Sequence, residues 1–205
     1  MVAIRGVIEV KPGLVRGRAG RPENPAVTPA LARAAVELLA VGETVTVEGV
    51  CRRVRVSRPV FYRRFPNADA LVSQVIAERF AGLVVPDTGT LRGDVRAVLV
   101  SWRELLTDPA TLAGVSRITA ARNRSGVDAT GILGPCQAAI GLVLDRAVHR
   151  GQARPGVDSG FVLSLALGTL LMRVLVPGTS EPDDGFLDRV TETVTATATR
   201  EHARP

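Results

Sequence analysis

The chain has 205 residues, of which 46% are hydrophobic and 22% charged, a composition that excludes an intrinsically disordered protein. Residues 1–80 contain 13 Lys and Arg against 7 Asp and Glu, whereas residues 81–205 contain 13 of each, so the whole net charge of +6 lies in the N-terminal part. This asymmetry predicts a polyanionic partner for the N-terminal part and a different role for the rest of the chain.

The N-terminal part begins with a segment that does not have the pattern of a helix. Residues 1–27 are rich in Gly and Pro and show no amphipathic period, so we expect a flexible basic arm. Thr28 and Pro29 then form a typical helix start, a capping hydroxyl followed by a proline at the first helical position. Gly42 is typical of a helix end.

The rest of the chain is predicted to be helical as well, because apolar residues recur at helical spacing and Gly, Pro or Asp bound each run. Further helices are expected from Thr46, from Ser57, and over residues 69–83, 95–106, 109–122, 130–150, 158–176 and 183–199. Residues 86–93 form the expected linker between two domains. The fold class predicted from this pattern is all-α.

The two short helices that start at Thr46 and Ser57 carry the clearest functional signal. They are joined by a tight turn over residues 54–56, and Ser57 is a capping residue for the second of them. This helix-turn-helix arrangement places the N-terminal end of a short, rigid helix in the major groove of DNA. The candidate DNA-binding residues are Thr46, Ser57, Arg58, Pro59, Val60, Tyr62, Arg63 and Arg64.

The candidate DNA-binding residues differ in expected role. Arg58 has the side chain for a bidentate contact with guanine, worth about 1–3 kcal/mol of base discrimination. The methyl groups of Val60 suit a thymine methyl group. Tyr62, Arg63 and Arg64 are expected at phosphates, where they position the protein without reading sequence.

The stretch from Thr28 to Phe80 resembles the DNA-binding domain of the tetracycline-repressor (TetR) family. The matching features are an apolar helix, a glycine, Thr-Val-Glu, two arginines, Val-Ser, then Phe-Tyr-Arg-Arg-Phe-Pro and an Ala-Leu pair. The resemblance implies Thr46 and Ser57 as helix caps, Tyr62 as a phosphate contact and Phe65 as a core residue.

The chain departs from the family pattern at two positions. Arg55 stands in the turn where the family usually has Gly, and a left-handed conformation there costs a non-glycine residue roughly 1–2 kcal/mol. Either the turn differs or the strain is tolerated. Ala68 stands where the family tends to have Lys, so one phosphate contact is expected to be missing.

The N-terminal arm contains a second candidate DNA contact. The run Arg-Gly-Arg-Ala-Gly-Arg-Pro at residues 16–22 resembles an AT-hook, which lays arginine side chains in a narrow minor groove. Arg18 and Arg21 are the candidate residues. The alternative is a solvated tail whose arginines contact nothing.

The C-terminal part also resembles the TetR family, in the turn at residues 150–158 and in the two helices after it. The resemblance implies that these helices pair with their counterparts in a homodimer; alternatively, their apolar faces only close the core of one chain. The candidate interface residues are Leu167, Gly168, Leu171, Leu175, Phe186, Leu187, Val190 and Val194. A small-molecule pocket is expected among the same domain's helices, with Trp102, Ile118, Gln137 and Leu165 as candidate lining residues.

These features predict a basic arm over residues 1–27, a helix-turn-helix domain over residues 28–83 and a larger helical domain for effector binding and dimerisation over residues 91–200. The expected function is a regulator, most simply a repressor, that leaves double-stranded operator DNA when a small molecule binds. Two alternatives stay open, an architectural DNA-binding protein without an effector and an enzyme built on a helical domain.

Several classes of protein are not supported by the sequence. It contains no phosphate-binding Gly-Lys loop, no dinucleotide fingerprint and no Gly-x-Ser-x-Gly elbow, so we expect no enzyme. Cys51 and Cys136 lie far apart without nearby metal ligands, and no cofactor or metal is expected. The most apolar segment, residues 161–176, is shorter than the roughly 20 residues that span a bilayer. We therefore expect a cytoplasmic protein that does not enter a membrane.

Overall fold

The computed structural model describes residues 24–125, 130–176, 178 and 181–199. Within these residues all regular structure is helical, as the sequence predicts. The helices are α1 (Val27–Ala40), α2 (Val47–Val54), α3 (Arg58–Tyr62), α4 (Ala68–Ala81), α5 (Leu91–Thr107), α6 (Pro109–Ser125), α7 (Thr130–His149), α8 (Ser159–Leu175) and α9 (Asp184–Thr199). Arg18 and Arg21 of the predicted arm lie outside the described residues.

The start of α1 differs from the prediction. The helix begins at Val27, with Ala26 at the N-cap position and no capping side chain. The Thr28 hydroxyl does not cap the helix, because it accepts a hydrogen bond from Arg64 Nε at 3.1 Å. The hydroxyl that the local sequence predicts as the helix cap is therefore bonded to Arg64, 36 residues further along the chain.

The turn between α2 and α3 has the geometry expected of a helix-turn-helix. Thr46 caps α2 by accepting a hydrogen bond from Gly49 N at 3.0 Å. Arg55 then adopts a left-handed conformation, with φ of 58° and ψ of 44°, so the strain of a non-glycine residue is tolerated here. Ser57 occupies the N-cap position of α3, but its side chain makes no capping hydrogen bond, which differs from the prediction.

Helix α4 connects the N-terminal helices to the rest of the molecule. It packs against α1, α6 and α7. Two ion pairs join α4 to α6. Arg117 of α6 pairs with Asp69 of α4 at 2.7 Å, and Arg79 of α4 pairs with Asp108, the residue before α6, at 2.8 Å. One continuous apolar core extends through both halves of the chain, so a movement of α4 is felt on both sides.

Helix α6 approaches α4 closely at Gly114. A Cβ atom placed on this glycine would lie 2.5 Å from Ile76 Cδ1 and 2.7 Å from Ile76 Cγ1. Ile76 is completely buried, so its side chain has no free space into which it could move. The absence of a side chain at Gly114 therefore sets the spacing of the two helices.

The linker between α4 and α5 is held against the end of α7. Asp94 is completely buried and accepts hydrogen bonds from the Thr88 backbone and hydroxyl, at 2.6 and 2.7 Å, and from Arg150 at 3.1 Å. Burial opposes the ionisation of Asp94, but these hydrogen bonds outweigh it and lower the pKa of the carboxyl group. Gln152 accepts a further hydrogen bond, from Leu91 N at 2.8 Å, which fixes the start of α5.

Among the described helices, none is both long and apolar enough to cross a membrane.

Candidate nucleic-acid interface

Helix α3 is short, and two buried aromatic residues anchor it to the core. Phe61 and Phe65 are buried, with their ring centroids 5.7 Å apart, and they pack into the core beneath α3. The opposite face is exposed and carries Arg58, Pro59 and Arg63 together with Tyr62, whose side chain is 54% exposed. We call this exposed face of α3 the recognition surface. Val60 lies at its edge and is half-buried.

Arg58 is paired with a residue that the sequence analysis missed. Its guanidinium donates a hydrogen bond to Glu48 Oε2 at 2.9 Å, and both side chains are largely exposed. The pair bridges the start of α2 and the start of α3. A signal for it is present in the sequence, since Glu48 belongs to the Thr-Val-Glu run, but only the fold shows that a residue ten positions earlier meets Arg58.

Arg64, which the sequence places among the candidate phosphate contacts, makes hydrogen bonds within the domain. Its guanidinium donates to Val60 O at 3.0 Å, to Thr28 Oγ1 at 3.1 Å and to Asn24 O at 3.4 Å. These bonds tie α3 to the start of α1, and the side chain is partly buried. Arg64 therefore has a structural role in the domain, whereas the neighbouring Arg63 is exposed.

Arg63→Ala and Arg64→Ala make a matched pair that separates these roles. We expect Arg63→Ala to weaken DNA binding and to reduce the slope of log affinity against log salt by about 1, with no change in Tm. Arg64→Ala is expected to lower the free energy of unfolding by about 1–3 kcal/mol, since it removes the hydrogen bonds to Val60 O and Thr28 Oγ1, which are partly buried, and the one to Asn24 O. Thermal unfolding and salt-dependent fluorescence anisotropy on one duplex check both; equal Tm values for the two variants would contradict the assignment.

A cavity of about 440 Å³ lies between the end of α4, the linker after it, α5 and α7. Its lining residues are Phe80, Ala81, Leu83, Val84, Val85, Val98, Ser101, Trp102, Gly134, Pro135, Ala138, Ala139 and Leu142. Of the four predicted pocket residues, Trp102 alone lines it. A volume of this size is typical of sites for small molecules.

The other predicted pocket residues lie elsewhere. Ile118 is buried and belongs to the core, and Gln137 is exposed on α7, where it donates a hydrogen bond to Ser159 Oγ at 3.1 Å. Leu165 lines a smaller cleft of about 130 Å³ between α8 and α9. Cys136, next to the cavity lining in sequence, is buried, and burial raises the pKa of its thiol to about 12. Its thiol is therefore protonated at neutral pH.

The predicted dimer residues fall into two groups. Four of them pack inside one chain, because their faces of α8 and α9 turn toward the core: Leu167, Leu187, Val190 and Val194. For these residues the structure agrees with the alternative that they close the core of one chain. The other four remain partly exposed: Gly168, Leu171, Leu175 and Phe186.

Helix α8 also carries an exposed apolar stripe of its own. Phe161 is 52% exposed and Met172 is 62% exposed, and between and after them lie Leu165, Gly168 and Leu175. These positions are spaced alternately by four and three residues, so they share one face of the helix. We call this set the α8 stripe.

Comparisons with known proteins agree with this geometry. A family of domains described as "Tetracyclin repressor-like, C-terminal domain" matches residues 85–194, just over half of the chain. The HTH-type transcriptional regulator Rv1556 of Mycobacterium tuberculosis (strain ATCC 25618 / H37Rv) is 28% identical over 162 residues, which cover 77% of this chain and 80% of that protein.

Solved structures show the same fold. The TetR family transcription regulator SCO0332 superposes with a TM-score of 0.68 at 24% identity, over 85% of this chain and 99% of that one. The flavonoid-responsive regulator FrrA superposes with a TM-score of 0.58 at 21% identity, over 83% of this chain and 94% of that one. With the match to the C-terminal family, the chain belongs to the TetR family of HTH-type transcriptional regulators, which are not enzymes.

Proposed function

We propose that this protein is a cytoplasmic repressor that binds operator DNA as a homodimer and leaves it when a small molecule binds. The observation that carries the proposal is the recognition surface, a short helix fixed by Phe61 and Phe65 that exposes Arg58, Tyr62 and Arg63. Arg58 stands at the N-terminal end of α3, the end that enters a major groove. Tyr62 and Arg63 follow it and suit phosphates.

The arm is part of the same proposal. Arg18 and Arg21 in the run over residues 16–22 suit a narrow minor groove beside the major-groove site. Their positive charge would compensate for the phosphate contact that is expected to be missing at Ala68, where the family tends to have Lys.

The cavity supports the effector part of the proposal. Phe80 and Ala81 at the end of α4 belong to its lining, together with Trp102 of α5. A ligand that binds better to one position of α4 than to another shifts the equilibrium between the two positions. Helix α4 also packs on α1, which belongs to the helix-turn-helix domain. FrrA, by its description a flavonoid-responsive regulator, provides an analogy with the same fold. An architectural protein without an effector has no use for such a cavity, which favours the repressor.

Fluorescence anisotropy tests the DNA-binding part of the proposal. Purified full-length protein is titrated onto its own upstream intergenic DNA and onto a scrambled duplex, at two salt concentrations. We expect preferential binding to the natural sequence and a steep loss of affinity with salt. Equal, weak binding to both duplexes favours the architectural alternative, and no binding to either contradicts the proposal.

The homodimer is proposed to form through the α8 stripe. Met172→Glu places a charge on this exposed apolar face, and we expect the variant to sediment as a monomer and to lose affinity for DNA, since a single protomer has one recognition surface. Because Met172 is 62% exposed, the fold of the chain should tolerate the change.

Leu133→Glu is the matched control, because this leucine is also exposed, at 40%, but lies on α7. It should stay dimeric in analytical ultracentrifugation at micromolar concentration. A dimeric Met172→Glu variant would show that the α8 stripe is not the interface.

A further inference from the structure

Among the residues that the structure describes, the lining of the cavity between α4, α5 and α7 contains no charged side chain. Eleven of its thirteen described lining residues are Ala, Val, Leu, Phe, Pro or Trp, and the other two are Ser101 and Gly134. None of the thirteen is Asp, Glu, Lys, Arg or His. We propose that its ligand is a neutral, mainly apolar molecule with one or two hydrogen-bond-accepting oxygens. This inference rests on the proposed function, because it names the class of the effector.

The absence of charge in the lining decides against an ionic ligand. An ion that enters an apolar cavity loses its hydration and gains no partner of opposite charge, so the charged form is strongly disfavoured. Arg146 is the cation on α7 with contacts to this region, but its guanidinium donates to Val85 O at 3.2 Å and to Pro86 O at 3.1 Å. It holds the linker and is not part of the lining.

The polar side chains of the lining determine which hydrogen-bonding groups a ligand can use in the cavity. Among the lining residues, Ser101 carries a hydroxyl and Trp102 an indole N–H, and the other lining side chains are apolar or absent. A ligand oxygen of a hydroxyl, ketone or ester suits these donors. Val84 and Leu142, which are 78% and 42% exposed, give the cavity an apolar rim toward solvent.

The chain provides its own reporter for this test. Trp102 is the only tryptophan in the sequence and lines the cavity, so its fluorescence reports on this site alone. A bromine atom quenches indole fluorescence on contact. The probes are 10-bromodecan-1-ol and 10-bromodecanoate, which share chain length and bromine and differ in the charge of the head group.

At neutral pH we expect the bromoalcohol to quench Trp102 in a saturable manner, and the bromocarboxylate to bind about tenfold more weakly or worse. Equal or tighter binding of the carboxylate overturns the inference. Absence of saturable quenching by the alcohol also overturns it.

Two adjacent residues of α7 supply a test and its control. Ala138→Phe fills the cavity and should abolish quenching by the alcohol, whereas Gln137→Phe, one position earlier but outside the lining, should leave it unchanged. If Ala138→Phe lowers Tm, Gly134→Phe is the second blocking variant, because a Cβ atom at Gly134 meets nothing within 4 Å. Quenching that persists in a folded blocking variant places the ligand elsewhere and contradicts the inference.

The failure of this inference is distinguishable from failure of the proposed function. Anisotropy on operator DNA is measured separately, without a probe. Loss of DNA binding with intact quenching contradicts the regulator and leaves the ligand class standing. Intact DNA binding with preference for the carboxylate contradicts the ligand class and leaves the regulator standing.

Discussion

Replacing Arg58 by alanine is expected to remove the preference for one base pair in each half of the binding site. The guanidinium lies at the exposed N-terminal end of α3 and has the fork geometry that a guanine edge requires. We expect discrimination at that base pair to fall by about 5–150-fold, which corresponds to about 1–3 kcal/mol. Binding to a set of duplexes with single base-pair changes measures this, and an unchanged preference at every position would contradict the role of Arg58.

Glu48 is expected to act on the same base pair through Arg58. Its carboxylate accepts the Arg58 hydrogen bond at 2.9 Å and so limits the orientations of the guanidinium before DNA arrives. Glu48→Gln should reduce discrimination at the Arg58 position while raising affinity for unrelated DNA, since a negative charge near phosphates is removed.

Glu37→Gln is the matched control for Glu48→Gln. Glu37 carries the same charge in the same domain but pairs with Arg53, at 3.3 Å. It should leave the preference at the Arg58 base pair unchanged. An identical loss of discrimination in both variants would mean that net charge matters and that the orientation of Arg58 does not.

Replacing Gly114 by alanine is expected to weaken DNA binding from a position that does not lie on the recognition surface. The added Cβ atom would lie 2.5 Å from Ile76 Cδ1, so α4 and α6 must move apart or Ile76 must change conformation. Overpacking of this kind costs about 1–3 kcal/mol. Because α4 packs on α1, the displacement reaches the DNA-binding helices, and anisotropy should detect the loss of affinity in a folded variant.

The double variant with Ile76→Ala distinguishes this effect from general damage. Alanine lacks both Cδ1 and Cγ1, the two atoms nearest to the new Cβ, so the double variant should lose less Tm and DNA affinity than the sum of the two single variants. Ile76→Ala alone should cost about 2–5 kcal/mol and serves as the control. Additive losses in the double variant would show that the two residues do not control the spacing of α4 and α6.

The sequence predicts well what depends on local pattern. Apolar periodicity locates the helices, Thr46 caps α2 as predicted, and the aromatic spacing places Phe61 and Phe65 in the core. The role of Arg64 is not visible in the sequence, because only the fold brings it to the start of α1. There it donates a hydrogen bond to the Thr28 hydroxyl, which the sequence predicts as the N-cap of α1.

The same limit applies to the cavity and to the last two helices. Periodicity predicts that Ile118 and Leu187 turn inward, but it does not distinguish a residue that fills the core from one that lines a void or a partner. That distinction depends on how helices pack together, which is why Trp102 lines the cavity and Ile118 does not. The Glu48–Arg58 pair is likewise a product of the angle between α2 and α3.

Selection of binding sites from a random pool of duplex DNA, followed by sequencing, tests the central claim most directly. Two recognition surfaces related by a two-fold axis predict an inverted repeat whose half-sites are one helical turn apart, about 34–36 Å, or a multiple of it. In each half-site a guanine preference should disappear in the Arg58→Ala variant. Enrichment of no sequence, or of a single unrepeated half-site, would contradict a dimeric, sequence-reading regulator.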